Sequence, residues 1–110
     1  MIVKINYQDC IAACNDCAFY CDLAATACLK QLDMANMARC IELDMYCAEI
    51  CRAAVSFMIK EDEFSTEICK ICAEICENCA QECDNYLSIP FQECAAACRK
   101  CATTCRQMAA

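Results

Sequence analysis

The stretch EICKICAEICENCAQEC, Glu67–Cys83, places cysteine at positions 69, 72, 76, 79 and 83, in alternating steps of three and four. That is the period of one face of an α-helix. Working outward, Cys94, Cys98, Cys101 and Cys105 keep the same rhythm. Cys10, Cys14, Cys17, Cys21 and Cys28 step by four, three, four and seven, and Cys40, Cys47 and Cys51 by seven and four. The pattern CxxxCxxCxxxC occurs at Cys10–Cys21, Cys72–Cys83 and Cys94–Cys105. Positions that carry Leu or Ile in the core of a helical bundle carry thiols here. All 17 cysteines of the 110-residue chain obey this register.

The rest of the composition agrees with helix. The chain has no Gly and one Pro, so little in it breaks a helix. Four segments are expected, from about Tyr7 to Gln31, Met34 to Ile59, Thr66 to Leu87 and Pro90 to Met108. Asn6 and Asp33 are candidate N-caps of the first two, and Asp9 supplies negative charge to the first turn. Lys60–Ser65 reads as a polar break, and Pro90 suits the first turn of the last helix. Short connections make neighbouring helices antiparallel. The expected fold is all-α, an up-down-up-down four-helix bundle with a cysteine-lined core, in one domain over residues 1–110.

The formal charge of −7, without a basic stripe, argues against nucleic acid. No stretch of 18 apolar residues suggests a membrane span, and MIVKINYQDC is too polar for a secretory leader. The chain reads as cytoplasmic, where dense cysteine points to metal more than to disulfides.

Several chemistries compete for such a stripe. Structural zinc wants four closed ligands, often from loop-borne CxxC pairs, but the CxxC pairs here lie inside helices. Iron–sulfur clusters need four thiolates around one centre, not a continuous row. Nucleophilic catalysis needs a base beside one thiol, and the chain has no histidine. Disulfide scaffolds are loop-rich, and an odd cysteine count leaves one over. Cu(I) is soft, prefers thiolate and accepts low coordination. One Cu(I) per thiolate also cancels the charge that buried thiolates would otherwise bring into the core. Without metal, protonated thiols pack as small apolar groups. The rival reading is a thiol-redox or structural cysteine-rich protein without multi-copper binding.

Two further residue types face the stripe. Met37 precedes Cys40 by three, Met58 follows Cys51 by seven and Met108 follows Cys105 by three, so thioethers extend the thiol row at both ends of the bundle. Met34 and Met45 lack this spacing. Asp44 sits four after Cys40 and three before Cys47, so it faces inward as a metal ligand or as an acceptor of thiol hydrogen bonds. The candidate metal set is therefore all the cysteines together with Asp44 and Met37.

CIELDMYCAEIC (Cys40–Cys51), Glu67–Cys83 and CAAACRKCATTCRQMAA (Cys94–Ala110) together resemble the bacterial copper storage proteins, in particular their cytosolic branch. The resemblance includes the Leu43–Asp44 pair and covers nearly the whole chain. It implies a non-enzymatic protein that holds many Cu(I) ions on thiolates inside the bundle and assembles as a homotetramer. It also implies a histidine-rich stretch and a further cysteine between the last two helices. Here that stretch is NYLSIPF, Asn85–Phe91, with Tyr86, Ser88 and Pro90 at the histidine positions and Phe91 at the cysteine. Uptake is still expected at that end, past Met37 and Asp44, through a mouth narrowed by Tyr86, Leu87 and Phe91. For self-association the sequence offers Ile50, Phe57, Ile68, Ile71, Ile75 and Phe19, outside the thiol register.

Overall fold

A computed structural model describes residues 7–110. Four α-helices carry the chain: α1 (Tyr7–Leu29), α2 (Ala38–Ile59), α3 (Ser65–Cys83) and α4 (Ile89–Ala109). Among the described residues there is no strand. α1 packs against α2 and α4, and α3 packs against the same two, so the helices form a ring in chain order with α1 and α3 diagonal. The result is the antiparallel bundle that the cysteine register predicts. No described helix is long and apolar enough to cross a membrane.

The helix ends differ from the sequence expectation, and local backbone bonds explain why. α1 stops at Leu29, where the N–H groups of Lys30 and Gln31 turn back to the Ala27 and Cys28 carbonyls. Met34–Met37 forms a 3₁₀ turn and not the first turn of α2. Asp33 precedes that turn, and its side chain makes no capping bond. Its carbonyl instead accepts the Asn36 N–H at 2.9 Å. α3 ends at Cys83 because the Asn85 and Tyr86 N–H groups close tight turns onto the Glu82 and Cys83 carbonyls. Pro90 lies in the first turn of α4, as expected. The Asn6 cap lies outside the described residues.

α2 leads into α3 through a Schellman ending. The Asp62 N–H bonds the Phe57 carbonyl at 3.1 Å and the Glu61 N–H bonds that of Met58 at 3.0 Å. Such an ending needs a left-handed residue, and with no glycine in the chain Glu61 adopts it, at φ 51°. A non-glycine residue there costs roughly 1 kcal/mol. The Asp62 carboxylate then accepts the Phe64 N–H at 2.8 Å, which starts α3 at Ser65, one residue before the expected Thr66.

The core is a column of thiols flanked by alanines. Every cysteine is buried, and so are Ala13, Ala18, Ala24, Ala48, Ala54, Ala73, Ala80, Ala95 and Ala102. Small side chains at these seams let the helices approach closely. Larger residues, among them Ile11, Tyr20, Ile41, Ile50, Val55, Ile68 and Ile75, cover the outer edges of the seams half-buried. Exposed ion pairs tie neighbouring helices together: Arg52 with Asp22 at 2.6 Å, Arg106 with Glu77 at 2.6 Å, and Arg99 with Asp84. Exposed pairs add little stability each. The fold therefore rests on a core that, with no buried cation among the described residues, packs as protonated thiols when metal is absent. The metal-free, reduced protein should already give a strongly helical circular dichroism spectrum. A coil spectrum that turns helical only when metal is added would contradict this.

Candidate metal centre

On each helix the inward residues continue the three-and-four step from end to end. α1 offers Cys10, Cys14, Cys17, Cys21, Ala24 and Cys28; α2, with the residue before it, offers Met37, Cys40, Asp44, Cys47, Cys51, Ala54 and Met58. α3 offers Ser65, Cys69, Cys72, Cys76, Cys79 and Cys83; α4 offers Phe91, Cys94, Cys98, Cys101, Cys105 and Met108. All are buried. The sequence expectation for Met37, Met58 and Met108 holds, since they are buried at the column's ends while Met34 and Met45 are exposed.

The thiols touch in an unbroken series. From one end, Cys10 lies 3.7 Å from Cys105, Cys105 3.8 Å from Cys14, and Cys14 3.5 Å from Cys101. Cys101 then meets Cys51 at 3.8 Å, Cys51 meets Cys76 at 3.9 Å, and Cys76 meets Cys47 at 3.5 Å. Cys47 meets Cys98 at 3.8 Å, Cys98 meets Cys21 at 3.8 Å, and Cys21 meets Cys94 at 3.7 Å. Cys17 joins Cys47 at 3.5 Å and Cys98 at 3.6 Å, and Cys72 joins Cys51 at 3.7 Å. Cys69 continues the row at the Cys10 end, and Cys28 and Cys40 continue it at the other. All the thiols are free.

Asp44 interrupts the series of sulfurs with two oxygens. Its side chain is fully buried. Oδ1 accepts the thiols of Cys79 at 3.1 Å, Cys94 at 3.6 Å and Cys83 at 3.8 Å, and Oδ2 accepts Cys40 at 3.6 Å. Burial pushes its carboxyl up to about 11. It is therefore a neutral acid at neutral pH. Burial likewise raises the Cys28 thiol. Among the described residues the only buried polar side chains are Asp44 and Ser65, and no buried Lys or Arg is present to balance an anion.

The ligand atoms fall into overlapping groups of four within 4.8 Å of one another. They include Cys14–Cys51–Cys72–Cys101, Cys17–Cys51–Cys76–Cys101, Cys17–Cys21–Cys47–Cys98, Cys21–Cys79–Cys94–Cys98 and Asp44–Cys79–Cys83–Cys94. Each group has the donors for a soft ion. Cys17, Cys21, Cys51, Cys79, Cys94, Cys98 and Cys101 each belong to two of these groups, so the groups are not closed sites of the structural zinc type.

One buried stripe residue, Ser65, was not read from the sequence, whereas Phe91 was expected to narrow the mouth. Ser65, four before Cys69, is buried, and its Oγ has no hydrogen-bond partner. The spacing could have found it, but the polar run before it reads as loop. Phe91 is buried three before Cys94, its ring centroid 5.0 Å from that of Tyr86, whose hydroxyl donates to Glu82 at 3.3 Å. Leu87, expected to narrow this mouth, is exposed, because α3 has already ended.

The raised carboxyl of Asp44 has a measurable consequence. Between its unfolded value of 3.8 and its folded value of about 11, the folded chain holds a proton that the unfolded chain has lost. This contribution to stability is complete below the lower value and is lost as pH rises, at about 1.4 kcal/mol per unit. Thermal unfolding of the reduced, metal-free protein between roughly pH 5 and pH 8 should therefore fall less steeply in Asp44→Asn than in the parent. Equal slopes would show that Asp44 is not held protonated.

Comparison with known proteins agrees with this geometry. The Cu(I)-bound copper storage protein BsCsp3 of Bacillus subtilis superposes with a TM-score of 0.90 at 43% identity, over 96% of this chain and 100% of that one. A cytosolic copper storage protein from Streptomyces lividans, solved with five coppers, gives a TM-score of 0.90 at 29% identity, over 94% of this chain and 91% of that one. The uncharacterized cysteine-rich protein YhjQ of Bacillus subtilis is 45% identical over 66 residues, which span 60% of this chain and 61% of that protein. Residues 3–110 match the family described as Copper storage protein, and the chain belongs to that family.

Proposed function

We propose that this chain stores Cu(I), holding many ions on the thiolates of its column. The observation that carries the reading is the continuous run of sulfurs 3.5–4.0 Å apart with no buried cation among the described residues. Each incoming ion displaces a thiol proton and is bridged by sulfurs of adjacent helices. One Cu(I) per thiolate keeps the core neutral, whereas zinc held by four thiolates leaves two negative charges per site. The candidate ligands are the 17 cysteines, with Asp44 and Met37 at the end where α1–α2 and α3–α4 connect. Asp44 exchanges its proton for an ion that reaches Cys79, Cys83 and Cys94. Holding copper away from water and oxygen lowers the free ion and its redox damage. The role is storage and not catalysis, since the carboxyl that touches the thiols, Asp44, is held protonated by burial and cannot serve as their base at neutral pH.

We further propose that the protein works in the cytoplasm, as one domain over residues 1–110, and as a homotetramer. Phe19 and Ile71 are exposed, while Ile50, Ile68, Ile75 and Phe57 are half-buried. Tyr46, Glu49, Ile50 and Ala53 of α2 and Ile75 of α3 line an open cavity of about 310 Å³. This apolar face between α2 and α3 is suited to a second copy.

Anaerobic titration with Cu(I), followed by gel filtration and metal analysis, should give roughly one copper per thiol. One or two per chain would favour the thiol-redox or structural alternative. Light scattering at micromolar concentration should report an oligomer, with four copies expected, and a monomer would refute the assembly.

A further inference from the structure

The two ends of the column are built differently. Where α1–α2 and α3–α4 connect, the stripe ends in Met37 and in the buried ring of Phe91, with Tyr86 beside it. Aromatic rings carry no soft lone pair for Cu(I), and Phe91 fills its place fully. At the opposite end, the stripes of α2 and α4 close with the thioethers of Met58 and Met108, and that of α3 with Ser65. Beneath them lie Cys69, Cys10 and Cys105, all buried, with the sulfurs of Cys10 and Cys105 3.7 Å apart.

Ser65 is the independent sign of a ligand at this end. A buried hydroxyl without a partner is destabilising, because it has given up its bond to water for nothing. Here it sits one helical turn from Cys69, on the same face. A copper-bound thiolate sulfur accepts the hydrogen bond that this hydroxyl has to give. Charge points the same way. The α2–α3 connection carries Glu61, Asp62 and Glu63 against Lys60, while Glu67 in the first turn of α3 pairs with Lys70 at 3.5 Å, so the connection itself is net negative and draws cations to this end.

We infer that Cu(I) enters at the Met58–Met108 end, passing from these thioethers to Cys69, Cys10 and Cys105, with the Ser65 hydroxyl hydrogen-bonding the first copper-bound thiolate. Neutral thioethers hold Cu(I) weakly enough to release it to thiolates deeper in the column. This reverses the expectation from sequence, which placed uptake past Met37 and Asp44, and it rests on the storage reading above.

The test is the rate of Cu(I) transfer from a coloured Cu(I) chelator, followed anaerobically, for the parent and for Met58→Leu/Met108→Leu. Leu conserves volume and removes both thioethers. The double variant should load about tenfold more slowly, a difference of about 1.4 kcal/mol in the barrier. A change of less than about twofold would overturn the inference. If circular dichroism shows the double variant to be unfolded, Met108→Leu in the last turn of α4 carries the test with the same two outcomes. The parent's plateau keeps the two ideas separate. About one copper per thiol with an unslowed variant defeats only the entrance assigned here, whereas a parent plateau of one or two coppers defeats the storage reading and this inference with it.

Discussion

A thiol can be either an apolar core side chain or an anionic ligand, and the whole bundle depends on that duality. Protonated, the cysteines fill the interior as small hydrophobes and hold four helices together. Deprotonated and unpaired, they would bring intolerable charge into a medium where no described lysine or arginine is buried to balance it. The core is therefore stable in two compositions, with protons or with monovalent soft ions. The flanking alanines serve both, because they bring the helices close enough for sulfurs of different helices to touch.

Asp44 is the exception that fits the same constraint. A carboxylate in that place would be as costly as a lone thiolate, and four thiols surround it as donors while burial keeps it neutral. It adds hard oxygen donors beside the soft ones at one end of the column. The opposite end has none at stripe positions except the Ser65 hydroxyl. The two mouths of the bundle thus differ in donor chemistry although the helices between them are alike.

The architecture and the candidate centre were legible in the sequence because the two share one signal. A three-and-four spacing of cysteine fixes helix, inward face and ligand row at once, so Asp44, Met37, Met58 and Met108 fell into place from arithmetic alone. The helix ends were not legible. They are decided by single backbone bonds, such as the turn that stops α3 at Cys83, and by a left-handed Glu61 where glycine would have announced the break. Ser65 was hidden for the same reason: its polar neighbours suggested loop, and only the observed start of α3 puts it on the thiol face. The exposure of Leu87 follows from the early end of α3.

Because neighbouring groups of four share sulfurs, the column behaves as a one-dimensional lattice and not as a set of separate receptacles. An ion on Cys17 and Cys47 alters what is available to its neighbours on either side, since each sulfur can bridge only so many metals. Occupancy therefore has no natural integer steps along the row. Partial filling is an ensemble of arrangements that interconvert by exchange of single sulfur–metal bonds, each shift spanning less than a turn of helix. Neighbouring groups share at least one sulfur along the axis, so an ion moving between them keeps part of its coordination.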